Sequence, residues 1–220
     1  EYCDEHWTFV EPTDTDMLLR PDVNTLRVVP WAREPTAQII HDCYTRGNVL
    51  HPLSTRNVLR KVLELYAEAG LQAVVAPEVE FFLVRRNTDP DYELMPPKGR
   101  SGRAESSRQS YSIDAVAEFE DFVEDMYDFA EAQKLQVDTL IHENGAAQME
   151  INFEHGDPMS LADQVFVFKR TVRETAHRHD MYATFMAKPM QREVGSAMHI
   201  HQRVLSAATG KILFSDGNGG

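Results

Sequence analysis

The stretch PEVEFFLV (77–84) sets two carboxylates, Glu78 and Glu80, inside an otherwise apolar run. Successive side chains of an extended strand point to opposite faces, so Glu78 and Glu80 share one face while Val79, Phe81 and Leu83 share the other. The apolar face calls for a core. The acidic face calls for a cation or a proton, because two like charges in a half-buried place are costly unless something positive lies between them.

The same alternation recurs twice. In HENGAAQMEINF (142–153), Gln148, Glu150 and Asn152 alternate with Met149, Ile151 and Phe153, and Glu143 stands seven residues before Glu150 across an Asn-Gly turn signal that can bring it back. In GSAMHIHQRV (195–204), His199 and His201 alternate with Met198, Ile200 and Gln202. Each stretch alone fits the wet face of an ordinary antiparallel sheet. Three in one domain would gather four glutamates and two histidines in one hollow, and a face that acidic needs divalent cations. Hard oxygen donors with one or two imidazoles and no thiolate suit Mg²⁺ or Mn²⁺ better than Zn²⁺ or copper. Two such ions stabilise both ends of a phosphoryl displacement, which points to ATP. With no Walker loop or Rossmann fingerprint, a nucleotide would be held through metal-bound phosphates. An H-x-H strand also serves metal-dependent hydrolases, but a Zn²⁺ site would be richer in histidine.

The 220 residues, 42% apolar, allow a sizeable core in one or two domains. A formal charge of −13, from 22 basic and 35 acidic residues, argues against nucleic acid or an anionic membrane surface as partner. No apolar run approaches a membrane span and no signal peptide opens the chain. Cys3 and Cys43 cannot form a disulfide framework, which fits a reducing cytoplasm. The chain starts without methionine, and GKILFSDGNGG (210–220) reads as a strand and an unfinished turn, so a piece of a longer protein is expected.

TLRVVPW (25–31) and TAQIIHDCY (36–44) predict a small β-rich portion. Helical spacing follows over 54–70, with Ser54 or Thr55 as cap and Gly70 as stop. Residues 85–112 carry Arg, Pro, Gly and Ser without periodicity and read as a long loop, either functional or a solvated excursion. Phe119, Phe122, Val123, Met126 and Phe129 mark one helix face. Leu161, Val165, Phe168 and Val172 mark another, behind an Asp157 cap and Pro158.

PEVEFF, HENGAAQMEIN, LADQVFVFKR and YATFMAKPMQREVGSAMHIHQ, in this order, resemble the glutamine synthetase family, with a weaker match upstream through DTDMLLRPDVNTLRVVPW. GAAQMEINFEHGDP and LADQVFVFKRTVRE resemble the branch that joins glutamate to amines, the γ-glutamylpolyamine synthetases. The resemblance implies an α+β fold: part of an N-terminal β-grasp domain in residues 1–50, and the first part of an antiparallel-sheet catalytic domain in 51–220. It also implies a ring-shaped homo-oligomer with active sites shared between subunits. The implied reaction uses ATP to phosphorylate the γ-carboxylate of glutamate, and an amine or ammonia then attacks the γ-glutamyl phosphate. A carboxylate is a poor electrophile without a good leaving group, and metals offset the charge on the transferred phosphoryl.

Carried over by motif, Glu80, Glu143 and Glu150 match the ligands of one metal, and Glu78 and His199 match ligands of the other. His201 matches a contact to ATP phosphate, and Gly195 the loop that grips the backbone groups of glutamate. Tyr111 matches a tyrosine beside the amine site, and Asp138 an acid near the nucleoside. Val194 stands where glutamine synthetase has an asparagine that binds the amino acid. Arg203 replaces a small hydroxyl residue and could meet phosphate differently. The family's later arginines, its flap glutamate and a last metal ligand are expected beyond Gly220. Two alternatives stay open: glutamine synthetase proper, using ammonia, and a relative that keeps the fold without catalysis.

Overall fold

Alternation in 77–84 becomes the spine of a sheet in the computed structural model, which describes residues 16–215 apart from Pro90 and Ser107. Two compact units form. One holds the described residues up to Val28, Pro35–Ala73 and those from Arg203 onward; the other holds Val29–Glu34 and Val74–Gln202.

In the first unit, β1 (Leu18–Pro21) pairs antiparallel with β4 (His41–Tyr44), and β2 (Arg27–Val28) pairs with β3 (Ala37–Gln38). This matches the β-rich reading. Asp22 accepts from the Asn24 amide at 3.1 Å and so caps a 3-10 turn, Val23–Thr25. Helix α1 (Thr55–Glu68) sends Arg56 to both Asp22 and Asp42, at 2.8 and 2.6 Å. That guanidinium holds the Asp22 carboxyl below its ordinary range. Cys43 is half-buried in β4, and Cys3 lies outside the described residues.

The second unit is built on β5 (Leu71–Arg85), whose residues from Val74 onward belong here. Its sheet runs β6 (Val137–His142), β7 (Gln148–Phe153), β5, β8 (Met181–Thr184), and β9 (Met198–Ser206) also pairs with β5. The pairings in register are antiparallel, with Glu80 opposite Glu150 and Glu78 opposite Asn152. Helices α3 (Glu120–Ala132) and α4 (Pro158–Arg178) cover one face. Phe81 meets Phe122 edge-on at 6.5 Å and Phe153 meets Phe168 at 5.3 Å, so the odd-numbered side of β5 and β7 is core. Asp157 accepts from the Ser160 amide at 2.8 Å, and Pro158 fills the first turn of α4, as the sequence indicates.

Two features differ from the sequence reading. A short helix α2 (Ile113–Ala117), capped by Ser112, precedes α3, and Phe119 sits at the break between them. The acid-bearing face of β5 is also not polar throughout. Beyond Glu80 it carries Phe82 and Val84, buried with Met190 and flanked by Leu94, Tyr182 and Val194. Half of that face is therefore a second small core.

Candidate active site

Within the second unit, the polar ends of β5, β7 and β9 and the turn after β6 line a cavity of about 570 Å³. Glu78, Glu80, Glu143, Glu150 and His199 all border it, as do Tyr111, Val194 and Gly195. All five expected metal ligands therefore border one cavity, four of them through strand parity and Glu143 through the turn after β6. His201 is exposed and hydrogen-bonds Glu78 Oε1 through Nε2 at 2.7 Å. Three expected nucleotide contacts, His201, Asp138 and Arg203, are not in the lining. Asp138 is exposed where the β6–β7 ladder slips between Val137 and Leu140, and its carbonyl accepts from Tyr127 Oη at 3.1 Å. Arg203 is exposed and belongs to the other compact unit.

Carboxylates facing each other across neighbouring strands repel. Burial first, then the charges of Glu78, Glu143 and Glu80, push the Glu150 carboxyl up from 4.5 to about 7, against a smaller opposing effect of His199. Glu150 is only 6% exposed, so water does little to relieve this. Among the described residues, ligand atoms of Glu78, Glu150 and His199 lie within 4.8 Å of one another, a spacing that suits one cation. The Glu80 carboxylate instead accepts from Gln148 Nε2 and the Ala197 amide, both at 3.0 Å. Glu143 accepts from its neighbour Asn144, through the amide at 3.1 Å and the side chain at 3.2 Å. The buried Asn152 Oδ1 on the same face has no hydrogen-bond partner. Oxygen donors in excess, one imidazole, an orphaned carbonyl and a carboxyl held half-protonated near neutrality fit a hard divalent cation.

Local chemistry explains the placement. Gln148 joins the turn to the strands: its Oε1 accepts from the Gly145 amide at 2.8 Å while its Nε2 donates to Glu80 and to the Gly195 carbonyl. The Asn-Gly signal places the turn correctly, but the left-handed residue is Ala147, with φ 55. Gly145 answers a need for space: a Cβ there would lie 2.4 Å from Phe82 Cε1. Gly195 likewise allows close approach, since its Cβ would meet the Ala187 carbonyl oxygen at 2.8 Å. The sequence reading missed His142, completely buried beside Glu143, and its partner Glu105 in the long loop. Burial pulls the His142 pKa down, but the hydrogen bond and charge of Glu105 outweigh it, and the net shift is upward.

Residues 52–220 match the family model described as the glutamine synthetase catalytic domain. The chain belongs to the glutamine synthetase family. Members of this family that resemble it include γ-glutamylputrescine synthetase PuuA of Escherichia coli, 38% identical over 71% of this chain and 35% of that protein. A glutamate–isopropylamine ligase of Pseudomonas is 33% identical over 91% of this chain and 43% of its own length. A glutamine synthetase of Pyrococcus abyssi is 30% identical over 86% of this chain and 40% of its own. The solved GmaS/ADP complex superposes with a TM-score of 0.80 at 27% identity, covering 96% of this chain and 47% of GmaS. The chain thus spans less than half the length of these glutamine synthetase relatives, and shares their α+β architecture of antiparallel sheet and helices.

Proposed function

We propose that this chain carries the acidic half of the active site of an ATP-dependent carbon–nitrogen ligase, which joins the γ-carboxylate of glutamate to an amine through a γ-glutamyl phosphate. The observation that carries the reading is the convergence of Glu78, Glu80, Glu143, Glu150 and His199 on one cavity. Glu80, Glu143 and Glu150 would hold one Mg²⁺ or Mn²⁺, and Glu78 with His199 a second. When bound, these ions supply positive charge against the oxygens of the transferred phosphoryl group. His201, beside Glu78, would donate to a phosphate oxygen. The Gly195 backbone would bind the amino-acid end of glutamate. Val194, packed with Phe82, Val84 and Met190, would give that end an aliphatic wall in place of an amide. Tyr111 would border the incoming amine. Asp138 and Arg203 remain proposed nucleotide contacts from the resemblance alone.

The amine preference draws support from the similarity to two ligases named for amines. We assign residues 1–50 to a β-grasp portion and 51–220 to the catalytic domain of a cytoplasmic, ring-shaped homo-oligomer. The similarity to a glutamine synthetase at 30% identity favours ammonia as the second reading. Phosphate release by the complete protein, measured with glutamate plus putrescine, isopropylamine or ammonium at matched concentrations, separates the two. A higher kcat/KM for an organic amine is expected, and a higher value for ammonium would replace the first reading with the second.

A further inference from the structure

We propose that Glu105 is a positioning residue: it clasps the long 86–112 loop to the 142–147 turn and so seats Tyr111 at the amine side of the cavity. The amine side is taken from the ligase reading above, whereas the clasp stands on geometry. Ser101 to Ala104 are exposed, yet the next residue sends its carboxylate inward. Glu105 accepts from His142 Nε2 with both oxygens, at 2.9 and 3.1 Å, and from the Ala147 amide at 2.7 Å. The two side chains are 5% and 0% exposed. His142 Nδ1 faces the Glu143 carbonyl at 2.8 Å. Both ring nitrogens therefore lie at hydrogen-bond distance from oxygen atoms, and a buried polar pair of this kind is costly to leave half-made.

The clasp ends on strained backbone. Tyr111 and Ala147 adopt φ of 61 and 55, a left-handed conformation that is strained for a non-glycine residue. The Tyr111 amide donates to the His142 carbonyl at 2.9 Å, and the Ala147 amide donates to Glu105 itself. Ser110 Oγ adds a bond to Asn144 Oδ1 at 2.7 Å. The turn has its own closure, because the Glu143 amide donates to the Gln148 carbonyl and the Gly145 amide to Gln148 Oε1. Among the described residues the loop's other bonds to neighbouring elements lie before Glu105, where the Arg100 amide donates to the Glu118 carbonyl at 2.9 Å and the Ser101 amide to Glu118 Oε2 at 3.0 Å. Loss of Glu105 therefore loosens Tyr111 more than Glu143, and the amine side more than the metal side.

The test compares Glu105→Ala and Glu105→Gln in the complete protein. Glutamine can still accept from the Ala147 amide and hydrogen-bond His142 Nε2, so it should restore most of what alanine loses. In Glu105→Ala, amide hydrogen exchange at Tyr111 and Ala147 should speed up roughly tenfold or more while β5 and β7 stay protected. The KM for the amine should rise roughly tenfold with the KM for ATP within about twofold. Unchanged exchange at Tyr111 would overturn the clasp whatever the enzyme does. Exchange accelerated across the whole sheet, with both KM values rising together, would overturn the positioning role in favour of a general loss of stability. If the unmutated protein releases no phosphate with any amine, the ligase reading falls and exchange at Tyr111 still decides the clasp.

Discussion

Replacing Glu150 with Gln removes one charge from the acidic cavity while keeping shape, and its effect should depend on pH in a calculable way. Burial and three neighbouring carboxylates raise the Glu150 carboxyl from 4.5 to about 7. One pKa unit corresponds to about 1.36 kcal/mol, so the shift amounts to about 3 kcal/mol of linkage. The folded pKa lies above the unfolded one, so the folded state holds the proton more tightly. That contribution to stability is fully present below about pH 4.5 and is lost as pH rises through about 7. Glutamine does not titrate. Urea unfolding followed by circular dichroism, with a chelator present, should therefore show the unmutated protein losing about 3 kcal/mol more than Glu150→Gln between these limits. Mg²⁺ or Mn²⁺ should abolish the difference, because a cation bound against the Glu150 carboxylate replaces the proton. Parallel pH curves for the two proteins, or a loss indifferent to divalent cations, would refute the reasoning.

Gly145→Ala should cost about 1–3 kcal/mol by overpacking Phe82, read as a lower urea midpoint, and should also weaken cation binding by displacing the turn that carries Glu143. Phe168→Ala, at a completely buried position against Phe153, should cost about 3–5 kcal/mol in the same assay. Arg56→Ala leaves Asp22 and Asp42 facing each other without their shared partner. With side-chain exposures of 12–25% in this trio, a loss of roughly 2–3 kcal/mol is expected, below the ~3–5 of a fully buried pair. That loss should shrink as pH falls and Asp22 becomes protonated.

The cavity-lining acids were legible because a strand has a side-chain period of two, and the acids and histidines of 77–84, 142–153 and 195–204 keep that period against apolar neighbours. Parity alone put Glu78, Glu80, Glu150 and His199 on the side that borders the cavity, and a turn signal put Glu143 there. What escaped depends on partners distant in sequence. Glu105 lies in an aperiodic loop, 37 residues before the histidine it grips. Phe82 and Val84 read as part of the acid-bearing face until Met190 and Val194 close over them. Gly145 looked like a conformational requirement and is a steric one, and the strain falls on Ala147. The break at Phe119 was invisible because the aromatic spacing continues across it. Asp138 and Arg203 were assigned by motif position alone, and neither enters the cavity lining.

Carboxylate activation is the central claim, and isotope transfer tests it most directly. The complete protein is supplied with ATP, Mg²⁺, an amine and glutamate whose γ-carboxylate carries heavy oxygen, and the released phosphate is analysed by mass spectrometry. Transfer of one labelled oxygen from glutamate to phosphate, dependent on the amine and abolished in Glu150→Gln, is the result expected if an acyl phosphate forms and is captured by the amine. Phosphate without label, released equally well without amine, would mean that water attacks the nucleotide and that the acidic cavity serves a different reaction.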